Sequence, residues 1–190
     1  MSDELPILDF KNASAFEKWL AKNHDRSSGA WLRIAKKESG LSSVSYAEAI
    51  DVALCYGWID GQKQKGDANT WLQKFTPRSR RSIWSKINRE KANTLIDAGR
   101  MKAPGLAEVE RAKQDGRWDA AYDSHRTATV PPDLEAALNA NPAAREFFKT
   151  INSANRYAIL WRIQNAKKPE TRAKRIATFV EMLASGKTIH

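Results

Sequence analysis

Trp58-Ile59-Asp60-Gly61-Gln62-Lys63-Gln64-Lys65, then Gly66-Asp67-Ala68-Asn69, then Thr70-Trp71-Leu72-Gln73-Lys74-Phe75 is the stretch that decides the fold. The central four residues have turn chemistry, and the runs on either side read as strands, so the segment is expected to form a β-hairpin. Immediately before it, Ser45-x-x-Glu48 has capping-box spacing and opens a helix over Tyr46–Tyr56. Ile50, Ala53, Leu54 and Gly57 mark the buried stripe of that helix, and Gly57 suits the position just past its end. Farther upstream, Leu32 and Ile34 alternate with Arg33 in a segment Ala30–Lys37 that reads as another strand. Before that strand, Asn12 or Ser14 can cap a helix with Phe16, Trp19 and Leu20 on one face, and Ser14 with Glu17 has capping-box spacing.

Downstream, Thr76-Pro77-Arg78-Ser79 ends the sheet, and Ser79 or Ser82 can cap a helix carrying Trp84, Ile87, Leu95 and Ile96 inward to Gly99. Ala103-Pro104-Gly105 reads as a break, followed by a short helix Leu106–Asp115. Asp119–Pro132 shows no period and reads as a linker containing His125. Beyond it, Pro132, Asn141-Pro142, Ser153 and Pro169 each open a helix, and Gly186 closes the last. The expected fold is α+β: a small antiparallel sheet with flanking helices over residues 1–118, a linker 119–132, and an all-helical module 133–190.

The chain has 190 residues, 42% of them hydrophobic and 28% charged, and a net charge of +10. That balance excludes collagen-like and wholly disordered classes. The length suffices to bury a core without disulfide or metal. A single cysteine, Cys55, excludes an internal disulfide and favours a reducing compartment. Met1–Pro6 lacks the apolar stretch of a signal peptide, and no apolar run approaches the ~18 residues of a membrane span, so a cytoplasmic location is expected.

The positive charge is clumped. Lys74–Lys102 holds nine basic residues against two acidic ones, and Arg145–Arg175 holds the same numbers, leaving the rest of the chain at −4. An anionic partner is the natural reading of such a map. In the second cluster Arg156, Arg162, Lys167, Lys168, Arg172, Lys174 and Arg175 flank a helix–Lys-Lys-Pro–helix corner that could straddle a nucleic-acid backbone. The alternative is a solvated helix face.

Chemistry-bearing motifs are sparse. His24, His125 and His190 have no metal-ligand spacing with Cys55 or each other, and no nucleophile elbow or phosphate-binding glycine loop occurs, so neither metal, cofactor nor catalytic residue is assigned. Trp58, Asp60, Arg78, Trp84 and Asn88 form the best candidate ligand site. Arg78 would hold a carboxylate or phosphate, a tryptophan would stack on an apolar or cationic group, and Trp84 and Asn88 would share a helical face. The alternative is a structural Arg78–Asp60 pair among core tryptophans.

Several motifs together carry a family resemblance. These are Tyr46-Ala47-Glu48-Ala49, Ala53-Leu54-Cys55-Tyr56-Gly57-Trp58-Ile59-Asp60-Gly61, Phe75-Thr76-Pro77-Arg78 and Trp84-Ser85-Lys86-Ile87-Asn88, followed by Pro132-Asp133-Leu134, Phe147-Phe148 and Ala166–Ile176. In order and spacing the chain resembles the YdeI/OmpD-associated, or bacteriocin-protection, family. The resemblance implies an α+β part followed by a helical module. It also implies tolerance to bacteriocins or cationic antimicrobial peptides and a link to an outer-membrane porin. The expected function is therefore a non-enzymatic stress or peptide-tolerance factor that binds a small ligand or partner. The alternatives are nucleic-acid binding through the basic corner, and an enzyme built on the Trp58/Asp60/Arg78 pocket.

Overall fold

A computed structural model describes residues 5–124 and 127–190, so Met1–Glu4 of the amino terminus and His125 of the expected linker lie outside the described residues. The chain divides into two compact units, Met1–Trp84 with Asn88–Ala121, and Ser85–Ile87 with Tyr122–His190.

The first unit is built on a four-stranded sheet in the order β1-β2-β4-β3, comprising β1 (Ile7–Asp9), β2 (Ala30–Ala35), β3 (Trp58–Lys65) and β4 (Thr70–Pro77). The hairpin forms as read, with β3 antiparallel to β4 and β4 antiparallel to β2. β1 adds a parallel pair with β2, reached through helix α1 (Ala13–Asn23), so the sheet is mixed at that edge. Three residues are too few to show a period, which is why this strand left no trace in the sequence pattern.

Alternation along β2 buries Ala30, Leu32 and Ile34 and leaves Trp31, Arg33 and Ala35 half-covered. The buried set joins Phe75 of β4 and Phe16 and Leu20 of α1 in one core. Phe16 meets Phe75 edge-on at 5.8 Å and Trp19 meets Trp58 at 5.8 Å and 90°, geometry in which the ring edge of one faces the π-cloud of the other. Asn12, not Ser14, caps α1, accepting from Ala15 N–H at 3.0 Å. The capping box at Ser45 and Glu48 starts helix α2 (Tyr46–Cys55), with the Glu48 carboxyl held below its usual range by Ser45 hydrogen bonds. Gly57 ends it at φ +72°, where a side chain would be strained.

Helix α3 (Lys86–Asp97) begins later than Ser79 or Ser82 would set it, because those serines close a turn on each other, Ser79 N–H donating to Ser82 Oγ at 2.9 Å. Trp84 therefore precedes the helix and shares no helical face with Asn88. Helix α4 (Ala103–Gln114) takes Pro104 and Gly105 into its first turn instead of breaking there. Proline is tolerated at that position, where its missing N–H would have had no helical partner.

The second unit carries α5 (Pro132–Asn139), α6 (Pro142–Thr150), α7 (Ser153–Gln164) and α8 (Pro169–Ala184) around Leu134, Phe148, Ile159, Ile163 and Leu183. Asn141 and Asn152 cap α6 and α7, the latter displacing Ser153 from that role. No helix among the described residues is long and apolar enough to cross a membrane.

Candidate functional site

The five residues of the expected ligand site differ in burial: Trp58, Arg78 and Trp84 are buried, Asp60 and Asn88 half-buried. Trp58, at the start of β3, is 1% exposed, and its indole N–H donates to the His24 carbonyl at 3.1 Å. Asp60 accepts the Tyr46 hydroxyl at 2.6 Å, which ties the hairpin to the first turn of α2. Arg78 and Trp84 do come together. The guanidinium lies 3.5 Å from the centroid of the Trp84 ring and donates to the Ile83 carbonyl at 3.3 Å. Both are buried, so the stack is desolvated and correspondingly strong. Asn88 stands half-buried in α3.

What surrounds the Arg78–Trp84 stack is a further layer that the sequence did not reveal. Trp118 packs edge-on against Trp84 at 4.8 Å, and the Arg78 N–H donates to the Gly57 carbonyl at 2.9 Å. Glu108 of α4 lies within electrostatic reach. Burial pushes its carboxyl up, and Arg111, Arg117 and Arg78 oppose that shift. Arg111 ion-pairs with Glu108, and Arg117 bridges to Asp115 at 2.7 Å and to the Ser82 carbonyl at 2.6 Å. Glu108 sits in an ordinary amphipathic helix, and nothing in its neighbours marks it as the acid that faces three arginines.

The basic corner of the second unit behaves differently from a solvated face. The last carbonyls of a helix have no partners within it. Here arginines supply them: Arg156 Nη2 donates to the Phe148 and Lys149 carbonyls of α6 at 3.1 and 3.3 Å, Arg172 Nη1 to Ile163 of α7 at 2.9 Å, and Arg175 Nη1 to Arg162. Arg162 donates back to Ala158 at 3.0 Å. Arg172 also grips Asp133 of α5 with two parallel bonds of 2.5 and 2.8 Å, which hold that carboxyl below its usual range. The side chains of Lys167, Lys168 and Lys174 are exposed and carry no hydrogen bond or ion pair among the described residues.

Cys55 is buried in α2, and burial raises its thiol, the opposite of what a nucleophile requires. No group of three or more His, Cys, Asp or Glu among the described residues is arranged to hold a metal ion.

A mixed α+β unit followed by a helical unit laced by arginines is the class of protein this chain represents. Residues 8–108 match the family model described as Domain of unknown function (DUF8412), which spans more than half of the chain, and the protein belongs to that family. Residues 127–186 match the model described as Bacteriocin-protection, YdeI or OmpD-Associated. The YdeI/OmpD-associated likeness is thus placed on the helical unit, while the motifs from Tyr46 to Asn88 fall within the other model. No curated protein and no solved structure matches the chain.

Proposed function

We propose that this protein is a non-enzymatic tolerance factor of the bacteriocin-protection type, acting by recognition of an anionic ligand or partner. The match of residues 127–186 to the bacteriocin-protection model carries the reading. Two physical observations support its form. The groups best suited to chemistry are in structural use, with Cys55 buried and its thiol raised by that burial, and Glu108 engaged by Arg111. A chain of net charge +10 also repels cationic peptides, so protection runs through a negatively charged intermediary instead of direct sequestration.

The test is a clean deletion in the native host, challenged with a panel of bacteriocins and cationic peptides. Increased sensitivity, restored by the plasmid-borne gene, is the expected result. Unchanged inhibitory concentrations across the panel would overturn the proposal. A second reading, nucleic-acid binding, is favoured by one observation, the three uncommitted lysines at 167, 168 and 174.

A further inference from the structure

A β-bulge decides which side chains meet at the turn end of the hairpin. Between Asp60 and Lys63 the register of β3 against β4 slips, so that Asp60 opposes Phe75 while Lys63 and Lys65 oppose Gln73 and Trp71. Without the slip, residues 62 and 64 would stand on that face, because side chains alternate with a period of two. The two carbonyls of the bulge are satisfied from within: buried Gln73 donates its amide to Gly61 O at 2.8 Å and Gln62 O at 3.2 Å. The bulge is therefore held in place and its consequence is fixed, with two lysines on the side of Trp71.

Those lysines face two more. Lys36 and Lys37 follow the end of β2 and, with Lys63, Lys65, Thr70 and Trp71, line an open cavity of about 660 Å³. Among the described residues, no acidic one lines it. Lys36 is anchored by two of its three N–H groups, on the carbonyls of Asp67 and Ala68 at 3.0 and 2.7 Å, which keeps one donor and the full charge at the wall. The Lys63 ammonium sits 4.3 Å from the Trp71 ring centroid, and Tyr46 packs on the same ring at 5.7 Å. The neighbouring carboxylate of Asp67 is turned into the hairpin, one oxygen accepting from Asn69 N–H, Thr70 N–H and the Thr70 hydroxyl. Glu38 lines an adjoining cavity beside Lys36 and Lys37, which leaves the local balance positive.

Clustered like charges cost free energy in the empty protein, and that cost is recovered only when a counter-anion arrives. We propose that the cavity at the hairpin turn, walled by Lys36, Lys37, Lys63 and Lys65 and floored by Trp71, is a binding site for a compact polyanion of two or three linked phosphate groups. The inference rests on reading the protein as a binder of anionic ligands, and it adds the site and the chemical class. Linked phosphates match several point-charge ammonium donors better than one carboxylate would. The same phosphate chain occurs free or on a nucleoside, and Trp71 distinguishes the two because a base can stack on an indole.

Calorimetric titration of the purified full chain with inorganic tripolyphosphate and, separately, with ATP in about 50 mM salt tests this. Both ligands are expected to bind. Lys63→Gln/Lys65→Gln, two exposed positions, should weaken both by about tenfold or more, whereas Lys18→Gln/Lys22→Gln on exposed positions of α1, with the same loss of net charge, should change them by less than about threefold. ATP binding tighter than tripolyphosphate, with the gap closed by Trp71→Leu, identifies a nucleoside phosphate as the occupant. Equal affinities identify the free chain. Absence of binding by both ligands, or equal weakening by the two lysine pairs, overturns the site. Because binding is read in vitro and tolerance in cells, either proposal can fail while the other stands.

Discussion

Gly105 has no side chain because there is no room for one. A Cβ at that position would lie 2.3 Å from the Cys55 carbonyl oxygen and 2.7 Å from that of Leu54, both main-chain atoms at the end of α2. The first turn of α4 is pressed against those carbonyls, and the Lys102 N–H donates to Cys55 O at 3.1 Å. Gly57, at φ +72°, would bring a Cβ 2.9 Å from the Pro104 carbonyl and from Glu108 Cγ, the latter the more yielding neighbour. Gly105→Ala is therefore expected to cost about 3 kcal/mol or more, since backbone must move. Gly57→Ala should cost about 1–3 kcal/mol from left-handed strain plus a partly relievable clash. Thermal denaturation of the two variants checks the order, and a well-folded, wild-type-like Gly105→Ala protein would refute the close approach. Gly57 was readable because a glycine after a capped helix is a local signal. The need for Gly105 comes from a segment about 50 positions earlier, and so Pro104-Gly105 read as a break instead of a packed helical turn.

Elements whose ends are written in adjacent residues were legible: the hairpin from its turn, α2 from its capping box, α5, α6 and α8 from their prolines. What joins one helix to the next was not, because it depends on long side chains crossing between elements. Arg172 is the clearest case, tying α8 to both Asp133 of α5 and the Ile163 carbonyl of α7. Removing it should cost about 1–2 kcal/mol, one hydrogen bond to a carbonyl plus a half-exposed bidentate pair. Asp133→Asn removes only the pair and should cost about 0.5–1 kcal/mol near neutral pH. The pH dependence has a definite sign. Hydrogen bonds from Arg172, aided by its charge, depress the folded-state pKa of Asp133, so the native state binds fewer protons than the unfolded chain. The pair's stabilisation is complete above the unfolded value of about 3.9 and disappears as pH falls through the folded value. Urea titrations followed on the amide signals of α8 should show the Asp133→Asn deficit at pH 7 shrinking towards zero in acid, while Arg172→Ala keeps part of its deficit because the Ile163 bond does not titrate. A deficit for Asp133→Asn that is the same at both pH values would mean the pair contributes nothing.

Over the whole molecule, where basic residues are dense in the sequence and where positive charge is available to a partner are different places. In the stretch Lys74–Lys102, Arg78 is buried on Trp84, Arg89 bonds the Trp118 carbonyl at 3.2 Å, and Lys86, Lys91 and Lys102 pair with Asp123, Asp51 and Glu17. In Arg145–Arg175, Arg156, Arg172 and Arg175 serve helix ends. The four lysines of the hairpin cavity, by contrast, come from a part of the chain whose sequence balance is not basic, brought together by strand pairing that a sliding window cannot see. The consequence for nucleic acid is quantitative. Phosphate contacts set the slope of log affinity against log salt at about −0.9 per phosphate neutralised on duplex DNA. If the Lys-Lys-Pro corner binds duplex, Lys167→Gln/Lys168→Gln/Lys174→Gln should reduce the slope by about 2–3, while Arg172→Ala/Arg175→Ala should lower stability and leave the slope within about one unit. Mobility-shift titrations from about 50 to 200 mM salt, paired with denaturation of each variant, measure both quantities. No complex at the lowest salt would end the nucleic-acid reading of the corner. A slope carried by Arg172 and Arg175 with stability intact would mean that these side chains leave the helix ends to reach phosphate, contrary to the bonds they make here.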